Sequence, residues 1–159
     1  MIDRQSRDRL AAALRHYVSG QITNDDLDAI SVDWRDRGAA AVKAMSWRLY
    51  SDLERHYATH EHALNKEAKR DIARWIVFLH SDLEYVWPNH QLIETQGGPL
   101  NALTLGWWDK RKKRIWDAFL EAGDFSVWPF CHRTEFEEAI SHPRLLAGSG
   151  QRGEASDLQ

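Results

Sequence analysis

The sequence predicts an all-α fold, a single helical domain over residues 1–143 in which five or six helices surround a central Trp-rich helix. Three observations predict it. The stretch DIARWIVFLHSDLEYVWP, Asp71–Pro88, is the most apolar part of a polar chain. On a helix its Ile72, Trp75, Ile76 and Leu79 share one face, which Ala73 and Val77 widen, while Arg70, Asp71 and Arg74 keep a narrow polar stripe. A face that wide must be covered from more than one side. Apolar stripes of helical period also recur before it, over Arg7–Ser19 and Ala39–Tyr57. Finally, 43% of the 159 residues are hydrophobic and eight are Trp, which is enough to build an aromatic-rich core in a chain of this length.

Taken in order, the first helix covers Arg7–Ser19, with Leu10, Leu14, Tyr17 and Val18 as its stripe. Gly20 stands where a left-handed residue ends a helix. Thr23 or Asn24 restarts the chain as a cap, and Asp25 and Asp26 suit the positive end of the next helix. Leu27 and Ile30 then pack back on the first helix. Ser31–Gly38 is a polar connection. A long helix follows over Ala39–Tyr57, with Val42, Met45, Leu49, Leu53 and Tyr57 inward and Trp47 on the opposite side. Lys66–His80 is the central helix. Ser81-Asp82-Leu83-Glu84 has the form of a capping box and is expected to open a short new turn. Pro88 forces an exit at Trp87. Asn89–Gly106 reads as one long irregular segment lying across the core, with a loop signal at Gly97-Gly98-Pro99. Trp108–Glu121 is the next helix, Asp124–Phe130 is short and extended, and Thr134–Glu137 is a second capping box that opens a last helix before Pro143. Residues 144–159 read as a flexible tail.

The helix–Gly20-x-Ile22-Thr23–acidic–helix pattern resembles the small SHOCT-like hairpin of bacterial proteins, over about residues 10–30, although Leu27 stands where an aromatic is usual. That resemblance implies a role in protein contact or assembly. The Trp47-x-x-Tyr50-x-Asp52-Leu53 and Ala73–Pro88 segments, with Val127-Trp128-Pro129-Phe130, also resemble an uncharacterised family of small bacterial Trp-rich helical proteins, which implies a Trp-centred helical scaffold and supplies no activity to carry over.

Composition narrows the function. Net charge is −3, so no global basic field draws the chain to nucleic acid. The single cysteine, Cys131, excludes an internal disulfide and fits a reducing cytoplasm. The start, MIDRQSRDRL, lacks the apolar core of a signal peptide, and no segment approaches the roughly 18 apolar residues that span a membrane. A cytoplasmic location away from membranes is expected.

Of the residues that could carry chemistry, His56 and His60 lie at i and i+4 and would meet one ion on a helix. The sequence there is HYATHEH, with no general base in place and no third ligand, so neither metal nor cofactor is predicted. Lys110–Arg114 is a basic run between tryptophans, the composition of a nucleic-acid surface, yet a helix spreads five consecutive residues around its circumference. Tyr85-Val86-Trp87-Pro88 and Ser126-Val127-Trp128-Pro129 echo one another. If their corners meet, Tyr85, Trp87 and Trp128 form an aromatic floor, with Arg74 and Asp52 as a partly buried ion pair beside it. The leading expectation is a small bacterial protein-interaction or regulatory module, of which an immunity-type protein is one form, with another protein as partner and no catalysis. The alternative is a small-ligand binder or enzyme with its pocket at the Trp87/Trp128 corner, and a nucleic-acid binder using residues 110–114 comes third.

Overall fold

The computed structural model describes residues 1–88, 114 and 117–141. Within them the chain is all-α. Helix α1 is Arg4–Val18, α2 Asn24–Asp28, α3 Arg37–Ser46, α4 Lys66–His80 and α5 Arg133–Ser141. Residues 117–121 are also helical, and short 3₁₀ turns stand at Trp47–Leu49, His60–His62 and Phe125–Val127. Among the described residues there is no strand beyond one isolated bridge between Thr23 and Tyr57. No described helix is long and apolar enough to cross a membrane. The expected irregular segment at 89–106, the basic residues 110–113 and the tail at 144–159 lie outside the described residues.

Helix α4 is the centre. Asn65 caps its start, its side-chain oxygen accepting from the Ala68 N–H at 2.8 Å. Ile72, Trp75, Ile76, Phe78 and Leu79 are all buried. Its main partner is α1, which contributes Leu10, Leu14 and Tyr17 to the same core. Two arginines of α1 close the far end of α4. Arg4 donates to the Leu79 and Ser81 carbonyls (2.8 and 2.6 Å), and Arg7 to those of Ser81 and Leu83 (3.1 and 3.0 Å). The last carbonyls of a helix have no partner of their own, and positive charge is favourable there. This explains one departure from expectation. Ser81 ends α4, its hydroxyl donating back to the Phe78 carbonyl, and no new turn forms over 82–86. The carbonyls that would have started one are held by the arginines.

The first hairpin follows the pattern read from its residues. Gly20 takes φ +70° and Gln21 N–H bonds the His16 carbonyl at 2.8 Å, closing α1 in the left-handed manner. Thr23 and Asp26 form a reciprocal capping box on α2. Lys43 of α3 closes the other end of α2, donating to the carbonyls of Leu27 and Asp28 at 2.8 Å each.

The long helix expected over Ala39–Tyr57 is shorter and begins earlier. Capped by Asp36, it starts at Arg37, ends at Ser46 and passes through one 3₁₀ turn. Leu53, placed inward by the periodicity, is 91% exposed. The cause is Asn24, buried at the start of α2. Its amide nitrogen donates to the carbonyls of Ser51 and Glu54 (3.0 Å each), and its oxygen accepts from the His56 N–H at 2.8 Å. A helix through 51–56 would need those same backbone groups. Asn24→Ala leaves three of them without this partner and is expected to cost about 1–3 kcal/mol. A urea melt measures the loss, and faster amide exchange at His56 locates it.

Two further elements differ. Asp124–Phe130 is not extended: Asp124 caps the 3₁₀ turn at Phe125–Val127. The last helix begins at Arg133, before Thr134. Glu135 reaches back to accept from the N–H groups of Cys131 and His132 (3.0 and 3.1 Å), so the acidic cap of this helix is Glu135 and not the Glu137 of the expected box.

Candidate functional site

The two Trp-Pro corners meet. Trp87 is fully buried, and its indole N–H donates to the carbonyls of Pro129 and Phe130 at 3.1 Å each. Trp128 donates its own N–H to the Tyr85 hydroxyl at 3.1 Å. The Trp128 ring stands edge-on to Trp75 (5.7 Å) and to Tyr85 (6.3 Å), arrangements that suit the ring quadrupoles. Arg37 closes the group, donating to the Trp87 carbonyl at 2.6 Å with its guanidinium 5.8 Å from the centre of the Tyr85 ring. Burial raises the Tyr85 phenol to about 12, against the opposing pull of the Trp128 N–H and the Arg37 charge. At neutral pH this hydroxyl is therefore protonated and serves as an acceptor, not as a base.

The echo between the corners does not extend to their surroundings. Val127 is buried and Val86 is exposed, and Trp128-Pro129 is a cis peptide. Tyr85 and Trp87 are packed into the core with their polar tips bonded internally. Among the described residues, Trp128 also borders an open space.

There a groove of about 350 Å³ runs between the end of α3 and the start of α4. Met45, Arg48 and Leu49 line it from the end of α3 and the turn that follows, and Asn65, Glu67 and Ala68 from the start of α4. The buried Trp75 and Trp128 border it together with Phe125, Asp71 and Arg74. Trp128 is fixed in place, because its side chain bonds Tyr85 and its carbonyl accepts from Arg74 Nε at 2.7 Å.

The expected Asp52–Arg74 pair does not form. The early end of α3 puts Asp52 in an exposed stretch, and Arg74 pairs with Asp71 one turn back on α4. The i, i+4 arrangement of His56 and His60 fails for the same reason. His56 is buried in a loop and stacks on His62 (ring centres 4.0 Å apart), while His60 sits in a 3₁₀ turn with φ 50°. Among the described residues no group of three or more His, Cys, Asp or Glu converges on a metal-sized site. Of the basic run only Arg114 is described, and it is exposed. Cys131 is buried, with its sulfur 2.9 Å from the Ala122 carbonyl, and burial with the nearby Glu135 charge pushes its thiol up. That is the environment of a structural thiol.

Of the residues expected, Arg74 and Trp128 line the groove, Tyr85 and Trp87 are buried in the core, and Asp52 is not among the lining residues. Arg48 and Glu67 were not foreseen. They come from separate elements, and no local spacing joins them. No family model matches the chain, and no curated protein or solved structure matches it either.

Proposed function

We propose that this chain is a protein-interaction module without catalysis, and that a partner protein docks in the groove beside Trp128. One observation carries the reading. The groove joins the edges of Trp75 and Trp128, with Met45 and Leu49, to two exposed groups of opposite charge, Arg48 and Glu67. Apolar centres with polar rims are the anatomy of protein interfaces, and buried aromatic anchors dominate their energetics. Trp128 is held by its bonds to Tyr85 and Arg74 before any partner arrives, so it needs little ordering on docking. The hairpin's likeness to assembly modules is in keeping with this. A regulatory partner in a bacterial cytoplasm, including one masked in the manner of an immunity protein, is the form of the reading we favour.

The test is site-directed photocrosslinking in the native host. A benzoylphenylalanine in place of Leu49 should yield one discrete adduct with another protein, whereas the same group in place of the exposed Val86 should not. Equal adducts from both positions, or none from Leu49, would overturn the reading. A second reading, a small-ligand site, is favoured by the volume alone, which falls in the range of such sites at about 300–1,000 Å³. It predicts a raised melting temperature with small fragments and no Leu49 adduct.

A further inference from the structure

We infer that the groove selects a partner segment in which one large apolar residue is flanked by an acidic residue on one side and a basic residue on the other, with Arg48 and Glu67 as the two readers. The inference rests on the docking groove proposed above and adds the chemistry of its occupant.

Four charged side chains line the groove, and they divide into two pairs. Asp71 and Arg74 neutralise one another, and Arg74 is further committed to the Trp128 carbonyl. Arg48 and Glu67 are different. Arg48 is exposed, and its only hydrogen-bond contact among the described residues is a 3.8 Å approach to the Met45 sulfur, a poor acceptor. Glu67 is exposed in the first turn of α4, and no described cation pairs with it. Among the described residues, one unpaired cation and one unpaired anion thus line the same groove from two different elements.

Charge complementarity then defines the occupant. A ligand of one sign would meet attraction from one of these groups and repulsion from the other. A ligand carrying both signs, separated by an apolar body, is attracted by both and covers the accessible Met45, Leu49 and Phe125 side chains of the groove. The groove opens to solvent along one side, whereas small-molecule sites enclose most of their ligand. An extended protein segment, which keeps one face in water, fits that shape.

The test uses the full chain and a phage-displayed random dodecapeptide library. The enriched sequences should carry Asp or Glu and Lys or Arg on either side of a Leu, Phe, Met or Trp. The best of them, made as a labelled peptide, should bind R48E and E67K each about tenfold or more weakly than the parent. Changing the acidic residue of that peptide to Lys should restore binding to R48E above that to the parent chain. Both substitutions are at exposed positions, and unchanged melting curves will show that the variants remain folded. Failure of any sequence to enrich, enrichment of purely apolar peptides, or equal affinity for the parent and both variants would overturn the inference. If the Leu49 adduct forms and survives R48E and E67K, the charge readers are wrong while the docking groove stands. If neither adduct nor peptide is found, both fall.

Discussion

Asp36→Ala is expected to destabilise the protein by about 3–5 kcal/mol, the loss typical of a buried charge stripped of its partner. Arg7 and Asp36 are each only 1% exposed and lie 2.7 Å apart. Arg7 Nε and Nη2 both donate to the Asp36 carboxylate (2.7 and 3.0 Å), which is the strong bidentate form. The same guanidinium holds the carbonyls of Ser81 and Leu83 and lies 5.0 Å from the centre of the Phe78 ring. The carboxylate in turn caps α3 through the N–H groups of Gly38 and Ala39 and accepts from that of Asp3. One pair therefore ties the start of α1, the start of α3 and the end of α4. Burial alone would raise the Asp36 carboxyl, but the Arg7 hydrogen bonds, the backbone N–H groups and the Arg7 charge outweigh it and hold the group below its usual range. A depressed folded value means that the unfolded chain takes up the proton more readily. The stabilisation is thus complete above the ordinary carboxylate value of about 4 and is lost as pH falls below it. Urea melts of the parent between neutral and acid pH should show this loss, and Asp36→Ala should remove that part of the pH dependence. Arg7→Met with Asp36→Leu removes both charges together and should cost less than Asp36→Ala alone. A double variant worse than either single one would refute this account of the pair.

How much of this was legible depended on whether the determining contact was local. Helix α4 could be read from its own residues, because Ile72, Trp75, Ile76 and Leu79 share one face and are buried, although Ala73, read as widening that face, is exposed. The hairpin could be read because Gly20 and Thr23 act within a few residues of themselves. The length of α3 could not. The stripe of Val42, Met45 and Leu49 continues on paper through Leu53 and Tyr57, and what stops it is an Asn24 side chain from another element. Every reading that assumed the longer helix failed with it: the Asp52–Arg74 pair and the His56–His60 pair. Arg7 did leave a trace, since it stands three residues before Leu10 and seven before Leu14, on the apolar face of α1. A charge there needs a buried partner, though nothing local names Asp36. The echo of the two Trp-Pro corners was legible as a pattern, but neither their meeting nor their packing was. Indole groups that look suited to a site turn inward when backbone carbonyls lie within reach, and the groove is lined by Trp128 and not by Trp87.

Trp87→Ala is the second change expected to have a large effect, again about 3–5 kcal/mol, as for other truncations of fully buried aromatic residues. The ring is fully buried. It packs on Phe119 at 4.8 Å and stands edge-on to Phe125 at 6.2 Å. Its N–H joins the carbonyls of Pro129 and Phe130, so truncation both opens a cavity and leaves a buried donor's two acceptors without it. Trp87→Phe separates these effects. It keeps most of the ring volume, loses the N–H and should cost only about 1–3 kcal/mol, the penalty for stranding a buried polar group. Because Trp87 does not line the groove, peptide affinity in Trp87→Phe should stay near the parent value wherever the protein is folded. Trp128→Phe, by contrast, removes the bond to Tyr85 at the groove itself and should weaken peptide binding as well as stability. Calorimetric melts and peptide titrations on the two Phe variants decide the matter. Equal loss of affinity in both would mean that Trp87 belongs to the binding surface, contrary to its place in the core.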